Sequence, residues 1–128
     1  MDLTPYRKEL QVAGTAPVRL SVVDVGPLQG PGRGTVVCLH GCAGHLEQWA
    51  PQIAHLAARY RVIAPDLRGH GRSQVVSSAY SLEEFLWDIT QVLTQLAVAE
   101  PFILMAHSFG GPIASGFLSG KITADTSF

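Results

Sequence analysis

Phe102-Ile103-Leu104-Met105-Ala106-His107-Ser108-Phe109-Gly110-Gly111 sets a short apolar run directly before a small-x-Ser-x-Gly pattern. The run Phe102 to Ala106 predicts a strand. A helix is expected to follow to Ser119, with Gly120 as its C-terminal cap. A strand that turns abruptly into a helix crowds the positions two before and two after the turning residue. Ala106 and Gly110 are small enough for that geometry. The turning residue is then held in strained backbone with its side chain projecting above the sheet. Ser108 holds that position, so its hydroxyl is exposed for attack. The free N–H groups opening the next helix can stabilise an anion. Gly111 lets a neighbouring element approach closely. A serine capping an ordinary helix fits the same five residues equally well, so the surrounding chain has to decide.

Upstream, Thr35-Val36-Val37-Cys38-Leu39 is continuously apolar and rich in β-branched residues, as in a strand covered on both faces. A tight glycine loop follows, His40-Gly41-Cys42-Ala43-Gly44-His45. Leu46, Trp49, Ile53, Leu56 and Ala57 then recur at helical spacing, with Pro51 in the first turn. Val62-Ile63-Ala64 is the next buried strand, closed by Pro65-Asp66. The loop from Asp66 to Ala79 centres on Gly69-His70-Gly71. Ser81 with Glu84 forms a capping-box pattern that opens a helix to about Leu96. Its apolar face is Leu82, Phe85, Leu86, Ile89, Val92, Leu93 and Leu96. Nearer the N-terminus, Val18, Leu20 and Val22 alternate within a strand from Val18 to Val25. A shorter strand near Glu9 to Val12 precedes it across the Ala13–Pro17 turn, and Gly26 to Gly34 is a Gly/Pro loop. Strands alternating with helices imply an α/β fold with a parallel sheet covered on both sides.

Three loops follow strands in the order HGCAGHLEQW (40–49), APDLRGHGRS (64–73) and LMAHSFGG (104–111). In that order they resemble the first half of the α/β-hydrolase fold, and the resemblance covers roughly Val18 to Leu118. It implies a partial α/β-hydrolase: a mostly parallel sheet of about five strands with flanking helices, residues 1–128 forming one incomplete, N-terminal-half domain. It implies Ser108 as the nucleophile and an oxyanion hole made by the backbone N–H groups of Cys42 and Phe109. The Cys42 side chain need not take part. Ala106 stands where the family more often has glycine. Serine rather than aspartate at 108 points away from the dehalogenase and epoxide-hydrolase branches. It points toward esterases, thioesterases, serine peptidases, carbon–carbon bond hydrolases and cofactor-free peroxidases. A small-molecule substrate and no cofactor are expected.

A serine hydroxyl is a poor nucleophile until a base takes its proton. The family order is Ser, then Asp or Glu, then His. After Ser108 the chain has one acid, Asp125, and no histidine. The acid and base of a triad are therefore unassigned. Of the five histidines, His107 adjoins Ser108, and neighbouring side chains at a turn diverge. His40 and His70 lie in loops where the resemblance implies structural roles. His55 falls on a helix surface. His45 alone could stand in. Loss of the histidine from such a triad costs about 10⁶ in kcat, leaving roughly 10³–10⁴ over water from an oxyanion hole and binding. Two readings follow. The chain is the N-terminal portion of a serine hydrolase acting on an ester, thioester or amide. Alternatively it is a catalytically inactive fold fragment or interaction module, self-associating through an uncovered edge at Phe102 to Ala106.

Composition narrows the field. The 128 residues are 47% hydrophobic and 15% charged, and mean hydropathy is +0.22, which suits a folded core. A formal net charge of −1 gives no basic excess for nucleic acid. No apolar run approaches the ~18 residues of a membrane span. Met1 to Leu10 has no apolar signal core, so a cytoplasmic protein with no membrane partner is expected. Cys38 and Cys42 form no CxxC pair and read as reduced thiols. No His-Glu-x-x-His or cysteine quartet suggests a metal. The stretch Gly116 to Ile122 lacks the spacing and the Ser/Thr of a phosphate loop. Gly69-His70-Gly71 has Gln74 where a dinucleotide fingerprint needs its third glycine. Trp49 and Trp87 read as core or semi-buried packing residues.

Overall fold

The computed structural model describes residues 1–124, and side chains as far as Ser119. Five strands form one sheet: β1 (Arg7–Val12), β2 (Val18–Val25), β3 (Thr35–Leu39), β4 (Arg61–Pro65) and β5 (Ile103–Ala106), in the order β1-β2-β4-β3-β5. Three helices flank it: α1 (Ala50–Leu56), α2 (Leu82–Gln95) and α3 (Gly110–Ala124). β3 pairs in parallel with both β4 and β5, while β2 is antiparallel to both β1 and β4. Four strands thus run one way and β2 alone runs the other.

Alternation along each central strand divides the core. Val37, Leu39 and Ile63 face one side with Phe85, Ile89, Val92 and Leu93 of α2 and Ile113 and Ala114 of α3. Val36, Cys38, Val62 and Ala64 face the other with Ile53 and Ala57 around α1. This is why β3 and β4 lack polar alternation: both their faces are covered. The parallel order β4-β3-β5 brings the loops after β3, β4 and β5 to one end of the sheet. β5 is an edge strand, and Ile103 is 51% exposed on it.

Several expectations shift by local physics. β1 begins at Arg7, two residues before the expected start, because its register with β2 runs from Arg7 opposite Val23 to Val12 opposite Val18. A 3₁₀ turn, Leu46–Trp49, precedes α1, which places Pro51 in the first helical turn. Gly120 does not cap α3, which continues to Ala124. Asp125 lies outside the described residues. Trp87 is not packed away: it is 46% exposed, with its indole N–H donating to the Ala13 carbonyl at 2.7 Å. Leu82, expected on the buried face of α2, is 39% exposed. Cys38 is buried in β3 and Cys42 is exposed in the following loop, both free. Burial pushes the Cys38 thiol up to about 12.

Candidate active site

The junction of β5 and α3 holds Ser108 at φ +52°, in the left-handed region. A capping serine has extended backbone instead, and α3 begins two residues later at Gly110. The turn is tied down from both sides. The His107 N–H donates to the Leu39 carbonyl at 3.0 Å, extending the β3–β5 pairing past the strand end. The Gly110 N–H donates to His107 O at 3.0 Å and the Gly111 N–H to Ser108 O at 2.8 Å. A Cβ on Gly110 would lie 2.5 Å from the Leu39 carbonyl oxygen, so only glycine lets α3 start against the end of β3. Gly111, expected to admit a close neighbour, has open space where its Cβ would stand. Ser108 itself is exposed.

The loop after β3 lies against this turn. A Cβ on Gly41 would approach Ser108 Cβ to 3.0 Å and His107 Nδ1 to 3.3 Å. The loop bends through Ala43 at φ +61° and closes with the Gly44 N–H donating to Gly41 O at 3.0 Å. Cys42 stands at its exposed tip. Among the described residues, neither the Cys42 nor the Phe109 N–H donates to a backbone carbonyl.

Polar groups beneath the site lock the loops together. His40 is fully buried. Its Nε2 accepts from the Leu67 N–H at 3.0 Å, so Nδ1 carries the proton and donates to Gly41 O at 2.7 Å. Burial lowers its pKa, which keeps the ring neutral. Asp66, also fully buried, accepts from the Leu46 N–H at 2.8 Å and from the Arg72 N–H at 3.0 Å. Arg7 reaches the same carboxylate at 3.2 Å and bonds Glu47 at 2.8 Å. His70 Nδ1 meets the Arg68 carbonyl at 2.9 Å, with its ring 5.2 Å from that of His40. His40 and His70 are thus loop struts. His45, His55 and His107 are exposed. Among the described residues no histidine is hydrogen-bonded to Ser108.

Sequence reading missed two buried polar clusters. Asp88 sits on the apolar face of α2 and takes two 2.6 Å bonds from Arg68, which also donates to the Ala16 and Ala79 carbonyls. Position 88 lies three residues after Phe85 and four before Val92, so its placement among core positions was visible. Its partner, twenty residues away in a loop, was not. Asp66 and Arg7 were missed for the same reason: the motif shows the acid, and its cation comes from another strand.

Among the described residues no helix is long and apolar enough to cross a membrane. The alpha/beta hydrolase fold family matches residues 34–119. The chain is 35% identical over 111 residues to the magnesium-chelatase 30 kDa subunit of Rhodobacter capsulatus, covering 86% of this chain and 38% of that protein. It is 40% identical over 101 residues to epoxide hydrolase B of Mycobacterium tuberculosis, covering 76% of this chain and 27% of that protein. A thermophilic esterase from Thermogutta terrifontis superposes with a TM-score of 0.78 at 27% identity, over 89% of this chain and 41% of the esterase. The chain therefore spans well under half the length of these relatives. With a matched segment that includes all three loops of the site, the chain belongs to the alpha/beta hydrolase fold family.

Proposed function

We propose that this chain is the nucleophile-bearing, N-terminal portion of a serine hydrolase that cleaves an ester, thioester or amide in a small-molecule substrate. The carrying observation is Ser108 at φ +52°, exposed at the β5–α3 turn beside the Gly41 loop. In this reading the Ser108 hydroxyl attacks the acyl carbon while its proton passes to a base. The carbonyl oxygen, now an anion, takes the N–H groups of Cys42 and Phe109. Collapse expels the leaving group, which takes the proton back. Water then repeats the cycle on the acyl-enzyme and frees the acid. The triad acid and histidine come from the portion of the fold that the longer relatives have and this chain does not match. An alcohol at 108, rather than a carboxylate, favours acyl transfer over the epoxide opening named for one relative.

A fluorophosphonate probe tests the assignment. A version of the protein extended to the length of its relatives should be labelled, and Ser108→Ala should remove the label. Equal labelling of both proteins would end it. The second reading is a chain that is inactive by itself and associates through β5. It is favoured by the uncovered β5 edge and by the absence, among the described residues, of a histidine bonded to Ser108. Ester turnover by the 128-residue chain above its own Ser108→Ala control would count against that reading.

A further inference from the structure

His40, directly after β3, makes two hydrogen bonds of opposite sense from a fully buried ring. Its Nδ1–H donates to the Gly41 carbonyl at 2.7 Å, and its Nε2 accepts from the Leu67 N–H at 3.0 Å. The first bond holds the loop after β3, and the second ties it to the loop after β4. Only a neutral imidazole makes both, because the imidazolium has two donors and no acceptor. A second proton would set Nε2–H against the Leu67 N–H in an enclosed place. At least one of these donors then loses its partner, which is costly in a buried position.

The surroundings do not absorb the added charge. Among the described residues the one acid that acts on the ring is Asp66, and its pull is weaker than the effect of burial. The Asp66 carboxylate is already taken up by the Leu46 and Arg72 N–H groups and by Arg7 of β1. From the loop after β4, His70 places its ring 5.2 Å away, where a charge would oppose one on His40, and His45 in the loop after β3 acts in the same direction. From the turn after β5, His107 shares with His40 a cavity of about 260 Å³ whose other walls are the neutral Gln48, Trp49 and Gln52. α3 meets the His40 backbone through Gly110, which has no side chain to offer.

The Gly41 carbonyl held by His40 also accepts from the Gly44 N–H, so residues 41–44 move as one unit with it. That unit touches the Ser108 turn, since a Cβ on Gly41 would lie 3.0 Å from Ser108 Cβ. We propose that protonation of His40 is an acid switch: it breaks the tie to Leu67 and releases the 41–44 loop, with the Cys42 N–H, from its place against the Ser108 turn while the rest of the fold stays intact. The catalytic weight of this switch rests on the reading of the Cys42 N–H as an oxyanion donor; the movement itself does not.

Amide spectra of the 128-residue chain, recorded with the His40 ring resonances from about pH 7.5 to 5, test it. The Leu67, Cys42 and Gly44 N–H signals should shift reversibly with the midpoint of the His40 ring, below the ordinary 6.5. The Val37 and Ile63 amides in the core should stay in place. His40→Gln offers Leu67 a side-chain acceptor that takes up no proton, and should abolish the step. If that variant does not fold, His70→Asn decides: the step should persist, and its loss would assign the switch to His70 instead. The proposal also falls if the loop signals do not move, if they follow the midpoint of another histidine, or if the core amides move with them. None of these results touches the Ser108 assignment, because fluorophosphonate labelling at neutral pH reads a site in which His40 is unprotonated.

Discussion

Ser108 is a side-chain-bearing residue in a conformation that costs L-residues roughly 1–2 kcal/mol. That strain gives a stability signature independent of activity. Ser108→Gly relieves it and Ser108→Ala does not, so the glycine variant should be the more stable of the two by about 1 kcal/mol in urea denaturation. The reverse order would mean that position 108 does not sit in the left-handed region. His40 makes a second residue-scale prediction. Its folded pKa is lowered, first by burial, below the ordinary 6.5. As pH falls through 6.5 the unfolded chain takes up the proton before the folded one. His40's contribution is therefore intact above 6.5 and is lost progressively toward its lowered folded value, at about 1.4 kcal/mol per unit of depression. Urea stability measured from pH 7.5 down to 5 should decline, and His40→Asn should flatten that decline. The turn itself was legible because its steric demands are local: Ala106, Gly110 and Ser108 are adjacent in sequence and constrain one another. The roles of His40 and Asp66 were less so, since the groups that complete them, Leu67, Arg72 and Arg7, meet only after the strands pair.

At the scale of elements, α2 shows what a periodicity reveals and what it conceals. The 3.6-residue repeat located the helix and its Ser81 start, and Phe85, Ile89, Val92 and Leu93 are buried as the repeat requires. The same repeat puts Asp88 in the core, where only Arg68 makes it tolerable. Burial raises the Asp88 pKa, with Arg68 pulling against it. Removing one member strands the other charge. Asp88→Ala should therefore cost about 3–5 kcal/mol. The double change Arg68→Met with Asp88→Leu should cost distinctly less, since no charge is left alone. Thermal unfolding of the two variants checks the ordering. The pair also joins α2 to the β1–β2 turn through the Ala16 carbonyl, so loss of Asp88 should loosen that turn, readable as faster amide exchange at residues 13–17. On the adjacent turn of α2, Phe85 meets Phe109 edge-on at 5.2 Å, so this helix also supports the residue after Ser108.

The whole molecule is asymmetric across its sheet. One side ends in the β1–β2 ribbon, charged and tied down. The other ends in β5, with Ile103 exposed and, among the described residues, no strand paired along its outer edge. Such an edge is a template for pairing with another chain. The 128-residue chain should therefore show concentration-dependent association by light scattering, and Ile103→Lys should shift it toward monomer. A monomer at all concentrations for the parent chain would overturn the second reading of its function. The resemblance of the three motifs led to the expectation of an uncovered edge at Phe102 to Ala106, whereas the order β1-β2-β4-β3-β5 is set by pairings that no single segment shows. Propensity alone places strands without ordering them.

Arg7 carries a consequence for anyone choosing where to cut this gene. The segment matched by the family starts at residue 34, and a shortened version beginning there would retain every motif residue. It would discard the guanidinium that spans Ser21, Glu47 and Asp66. The two loops beside the Ser108 turn would then lose their shared brace, and a fully enclosed acid would be left without its counterion. Conserving the signature while amputating its scaffold would yield a protein that looks right in an alignment and fails on the bench.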